Sequence, residues 1–70
     1  MEENIYTKDG YILFNKIGKT YSFIYHTKYG ISKKETTKKT DFNDILLSFV
    51  HDELKVKHMV NYVNEVLKIK

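Results

Sequence analysis

From Asn4 to Thr37 apolar residues alternate with polar ones or gather in short runs, whereas after Thr40 they recur every three or four positions. A period of two predicts half-buried strands and a period near 3.6 predicts helices, so the chain divides into a sheet half and a helical half. Glycine punctuates only the first half, at Gly10, Gly18 and Gly30. The pattern predicts an α+β protein: an antiparallel β-meander of three to four strands, near residues 3–8, 11–17, 20–27 and 31–37. Two C-terminal helices, about 41–52 and 55–69, are expected to pack on one sheet face, and residues 1–70 to form a single small domain.

Asp9-Gly10 between β-formers is a strong hairpin signal, because both central residues of a type I′ turn need positive φ. The segments Tyr6-Thr7-Lys8-Asp9-Gly10 and His26-Thr27-Lys28-Tyr29-Gly30 share Thr-Lys-x-Gly at an offset of twenty, which reads as recurring turn chemistry. Two-residue turns at Asp9-Gly10, Gly18-Lys19 and Tyr29-Gly30 fix a register, and with it two faces. One face collects Ile5, Ile12, Phe14, Tyr21, Phe23 and Tyr25, a floor for the helices. The other collects Tyr6, Tyr11, Leu13, Ile24 and Ile31 among Asn4, Lys8, Asn15, Ser22, His26 and Lys33, with a cross-strand row Lys8, Tyr11, His26, Lys33. The fourth strand is rich in Lys, as expected of an edge that must not pair with other chains.

In the helical half, Thr40 or Asp41 is placed to cap, and Asp44 suits the first turn. Phe42, Ile45, Leu46 and Phe49 form one stripe, which Leu47, Val50 and Leu54 widen. Val56, Met59, Val60, Val63, Val66 and Leu67 form a second. The spacing from Leu46 to Leu67 runs without interruption, but a single helix over 42–69 would be about 42 Å long, against strands of about 20 Å. A break near residues 51–56 is therefore expected, with Asp52 as the second N-cap; the runner-up is one long helix paired with that of another subunit.

Seventy residues bury only roughly 60% of their unfolded surface, leaving one small core and no deep cleft. Absence of Cys removes disulfides and thiolate metal sites. The acidic start, with no apolar run behind it, is not that of a signal peptide, and no apolar stretch is long enough to cross a bilayer, so a cytoplasmic protein with no membrane partner is expected. The formal charge of +3 hides a split: residues 1–40 hold eight Lys and four acids, residues 41–70 four Lys and five acids. No Arg, Ala or Pro occurs, which points to an AT-rich genome and suits a phage or mobile element. Lack of Arg also removes the usual tool for reading guanine edges.

Candidate chemistry is sparse. Ser48 and His51 lie a helical turn apart with no carboxylate placed to orient the imidazole. His26, His51 and His58 lack the i, i+4 spacing of a zinc pair. Ile17-Gly18-Lys19-Thr20 lacks the upstream glycine of a phosphate loop and precedes a strand. No catalytic residue, metal ligand or cofactor is expected, and the protein reads as a non-enzyme.

What remains is a surface. Five of the six Tyr lie in the first thirty residues, and Lys28 to Lys39 holds five Lys and one Glu. The leading expectation is a small binding protein, an inhibitor or adaptor that occupies a surface of a larger acidic protein. Tyr6, Tyr11, Leu13 and Ile24 supply the anchor, His26 lies in their row, and Lys8, Lys28, Lys33 and Lys34 steer the encounter. The alternative is a single-stranded nucleic-acid binder using the same Tyr- and Lys-rich face. A homodimer through the C-terminal helices is compatible with either.

Overall fold

A computed structural model describes residues 3–69. The chain divides into two compact units, Met1–Thr37 and Lys38–Lys70. The first is a four-stranded antiparallel meander in the order β1-β2-β3-β4, with β1 at Glu3–Tyr6, β2 at Gly10–Ile17, β3 at Thr20–Thr27 and β4 at Gly30–Thr36. The second holds a 3-10 turn at Lys39–Asp41 and two helices, α1 at Phe42–Val50 and α2 at Glu53–Ile69. The α+β class and element order are those the periodicities predict.

The central hairpin forms as expected. Ile17 pairs with Thr20 around Gly18-Lys19, and Gly18 has φ +62 while Lys19 does not enter the positive region, the sign pattern of a type II′ turn. The outer two turns differ from the expectation by one position on each side. Tyr6 pairs with Tyr11 and Thr27 with Gly30, so the tips are Lys8-Asp9 and Lys28-Tyr29, and neither tip residue has positive φ. The type I′ expectation for Asp9-Gly10 is therefore corrected.

The physical reason lies in the threonines. Thr7 Oγ1 accepts the Gly10 N–H at 3.0 Å, and Thr7 N–H donates to the Gly10 carbonyl at 2.8 Å. Thr27 repeats the device: its Oγ1 accepts the Tyr29 N–H at 3.1 Å and donates to the Gly30 carbonyl at 3.3 Å. A threonine hydroxyl bonding the backbone two or three residues on holds the turn without I′ geometry. The twenty-residue echo is the turn itself. Gly10 is required for another reason, since a Cβ there would overlap the His26 carbonyl oxygen on β3.

A register shifted by two leaves every side chain on its expected face. Ile12, Phe14 and Phe23 are fully buried and Tyr21 nearly so, with the Phe14 and Phe23 rings 6.3 Å apart. Ile5 and Tyr25 on that face are half-buried. The Tyr25 hydroxyl lies 3.2 Å from Thr7 Oγ1, tying β3 to the first turn.

Helices α1 and α2 pack against each other. Phe42, Ile45, Leu46 and Phe49 of α1 and Val56, Met59 and Val63 of α2 are buried. Residues 42–69 are two helices rather than one, broken at His51-Asp52. His51 ends α1 in the left-handed conformation, φ 58 and ψ 32, with its N–H donating to the Leu47 carbonyl. Asp52 caps α2: its Oδ1 accepts the Lys55 N–H at 3.2 Å and its carbonyl accepts that of Val56 at 2.9 Å. Asp41 occupies the N-cap position of α1 without a side-chain capping bond, so the capping expected of it is absent. Leu54 is exposed rather than part of the α1 stripe, because the break takes α2 out of phase with α1.

Candidate functional site

The second sheet face is built by the odd residues of β2 and β4 and the even residues of β1 and β3. Register sets out its rows. Tyr6, Tyr11, His26 and Ile31 form one complete row across all four strands. Asn4, Leu13, Ile24 and Lys33 form the next, and Asn15, Ser22 and Glu35 continue on three strands. The face is thus apolar at the end of the first row and polar over Asn15, Ser22 and Glu35, beyond which the exposed Ile17 pairs with Thr20. Tyr6 and Ile31, at the ends of the first row, are 77% and 67% exposed; Tyr11 and His26 between them, and Leu13 and Ile24 in the next row, are half-buried.

The centre of the row is a stacked ring pair. Tyr11 and His26 have ring centroids 4.8 Å apart and planes within 9° of parallel. Two coplanar rings side by side cannot approach so closely, so the pair is face to face. Since Tyr11 and His26 are direct cross-strand neighbours, the stacking direction runs from strand to strand and both rings stand on edge above the sheet. Tyr6 leans on the far side of Tyr11, with centroids 6.4 Å apart and planes at 55°. Tyr11 and His26 therefore each cover one face of the other, while Tyr6 remains largely open to solvent.

The turn between β1 and β2 and the turn between β3 and β4 lie at the same end of the sheet as this row. Lys8 sits on one tip and Lys28 on the other, both exposed. Lys28 holds its ammonium 5.2 Å from the Tyr29 ring centre, a cation–π contact on a tip whose tyrosine is 83% exposed.

Of the residues the sequence singles out, Tyr6, Tyr11, Leu13, Ile24, His26 and Lys33 share this face, and Lys8 and Lys28 frame its apolar end. The expected row Lys8, Tyr11, His26, Lys33 is corrected: Tyr6 and Ile31 flank the ring pair, Lys8 is in the turn, and Lys33 lies opposite Ile24. Lys34 lies opposite Phe23 and projects from the other side of the sheet, since neighbours in a strand alternate. Two exposed apolar residues, Tyr29 and Ile31, belong at this end although the sequence reading did not select them as anchors. Their signal was the Thr-Lys-x-Gly echo, which fixes the turn tips.

The Ser48 hydroxyl donates to the Ile45 carbonyl at 2.6 Å, and the His51 backbone ends α1 in the left-handed conformation. Among the described residues no group of three or more His, Asp or Glu is placed to hold a metal ion, and no helix is long and apolar enough to cross a membrane. No protein-family model matches the sequence, and it matches no curated protein and no solved structure.

Proposed function

We propose that the protein is a non-catalytic binding module, acting as an inhibitor or adaptor by occupying a surface of a larger acidic protein through the second sheet face. The row Tyr6, Tyr11, His26, Ile31, with Leu13 and Ile24 behind it, is the anchor. Lys8, Lys28 and Lys33 around it raise the rate of encounter with a negatively charged partner. The observation that carries this reading is the stacked Tyr11–His26 pair. Each ring already covers one face of the other, so the pair is preformed, and ordering it on binding costs little side-chain entropy. Aromatic residues held in this way are typical of protein hot spots.

The same pair weighs against the single-strand reading. Nucleic-acid platforms lay aromatic rings so that their faces meet unstacked bases. Here the rings of the central strands cover one face of each other, which leaves Tyr6 and Tyr29 as the open rings. The chain also lacks Arg, and its net charge is modest.

Affinity capture from the source cell, with and without nuclease, tests the proposal. A nuclease-resistant protein partner is expected, and Tyr11→Ala should weaken its binding by roughly 30-fold or more, the loss of a hot-spot residue of about 2 kcal/mol. Capture unaffected by Tyr11→Ala and Tyr6→Ala would refute the face. Retention of single-stranded DNA or RNA that falls steeply with added salt would transfer the function to the alternative.

A further inference from the structure

Strand β4 ends the sheet with all its residues from Gly30 to Glu35 exposed. Its seven residues pair with β3 without a bulge and contain no Pro. Thr27 and Gly30 close a two-residue turn and so form a hydrogen-bonded pair, and alternation makes Tyr25–Ser32, Phe23–Lys34 and Tyr21–Thr36 bonded pairs as well. Ile31, Lys33 and Glu35 consequently turn their N–H and C=O groups away from β3. Over about 13 Å this edge has the geometry that accepts another strand. Neither shortness, bulge nor proline blocks it, and the only guard is the charge on Lys33 and Lys34.

A guard made of charge is selective. Against a second copy its effect depends on register: Lys33 against Lys33 opposes like charges, whereas Lys34 against Lys34 also sets Lys33 opposite Glu35 twice. Against an acidic segment the same lysines become attractive on both faces of the added strand.

We propose that β4 takes an acidic, extended peptide segment of its partner as a fifth, antiparallel strand. This inference deepens the protein-binding reading and rests on it for the nature of the occupant. Register writes the side-chain requirement. Running along the incoming strand, a basic or polar residue opposes Glu35, an acid opposes Lys34, a second acid opposes Lys33, a polar residue opposes Ser32 and an apolar residue opposes Ile31. Successive residues alternate between the two faces, so the apolar residue extends the row of Tyr6, Tyr11, His26 and Ile31. Backbone bonds hold the segment while the two acids and the apolar position select it, the division of labour of strand-addition complexes.

Amide hydrogen exchange on the isotope-labelled full chain tests this, using the synthetic peptide Thr-Lys-Glu-Glu-Thr-Val-Thr with blocked ends. In the free protein Ile31, Lys33 and Glu35 should exchange faster than Ser32 and Lys34. Peptide at about 1 mM should slow those three amides at least tenfold, and a peptide with Lys in place of both Glu should not. The Lys33→Glu, Lys34→Glu double variant should reverse the preference. Three results would overturn the inference: no added protection, equal effect from a peptide N-methylated at the residues facing β4, or self-association by sedimentation that the double variant abolishes. If the peptide fails while Tyr11-dependent capture of a protein partner persists, strand addition falls alone. If capture instead proves nucleic-acid dependent, the protein-binding reading falls and the exchange data still report on the edge.

Discussion

Gly10→Ala should be far more damaging than Gly18→Ala, although both replace a turn glycine by the same residue. At Gly10 the added methyl would overlap the His26 carbonyl oxygen and lie 2.9 Å from its carbonyl carbon and 3.1 Å from Thr27 Cα. All three are backbone atoms, so no side chain can rotate aside, and β2 must lift from β3 by several tenths of an ångström or more. That separation acts on the adjoining Tyr11–His26 pair, whose two backbone bonds stretch out of range. Losing them costs about 1 kcal/mol each, with a further 1–2 for strain. Reduced freedom of the unfolded chain returns up to about 1 kcal/mol, leaving a net loss of about 2–4 kcal/mol. At Gly18 nothing lies within 4 Å of the methyl, and the cost is the positive φ of +62, about 1 kcal/mol. Asn at position 18 should recover part of that, because it tolerates positive φ, whereas Asn at position 10 meets the same carbonyl as Ala. Seventy residues hold only about 4–10 kcal/mol of stability, so Gly10→Ala should lower Tm by more than about 10 °C in circular-dichroism melts and the urea midpoint in step. Equal losses at the two positions, or a loss below about 0.5 kcal/mol at Gly10, would refute the claim that this turn is held by close backbone approach.

Three further outcomes are expected. His51→Gly should stabilise by about 0.5–1 kcal/mol in urea titration, since a Cβ-bearing residue now holds φ 58 at the end of α1. Asp52→Ala should cost about 1 kcal/mol and speed amide exchange at Lys55, whose N–H the Asp52 carboxylate accepts. Thr7→Val keeps the shape but removes the acceptor for Gly10 N–H and the contact with the Tyr25 hydroxyl, and should cost about 1–2 kcal/mol by thermal melting, with the Gly10 amide losing exchange protection.

The fold was legible wherever a period or a cap spoke for itself. Alternation in Tyr11-Ile12-Leu13-Phe14 and Tyr21-Ser22-Phe23-Ile24-Tyr25 marked β2 and β3, and Asp52 followed by Glu53 marked the start of α2. The end of α1 was harder to place. Residues 42–69 contain neither Gly nor Pro, and the helical spacing runs from Phe49 through Glu53 to Val56 without a shift. His51 supplies the left-handed residue that glycine usually supplies, and a histidine gives no local warning of that. The outer turns misled for a related reason. Asp-Gly advertises a type I′ hairpin, but Thr7 and Thr27 bond the turn backbone through their hydroxyls and take each glycine into a strand.

That error bears unequally on the two things read from it. Moving both outer turns shifts each outer register by two residues, and side chains repeat every two residues, so the membership of each face survives intact. Neighbours do not survive. Tyr6 and Ile31 replace Lys8 and Lys33 beside the Tyr11–His26 pair, which turns an expected basic–aromatic row into an apolar one with lysines at its end. The distinction matters for function. Lysines flanking the rings within a row would favour a charged strand of nucleic acid threading across the sheet. A continuous apolar row with charge outside it favours a protein surface, with an apolar centre and a charged rim. A single exchange of neighbours probes this directly. Ile31→Lys restores a lysine beside His26 without touching a buried residue, so it should leave stability within about 0.5 kcal/mol. On the reasoning above it should weaken capture of the protein partner at least tenfold and, by adding one charge, steepen rather than create any salt-dependent retention of single strands. Unchanged capture by Ile31→Lys, alongside loss in Tyr11→Ala, would confine the anchor to the ring pair and exclude β4 from the contact.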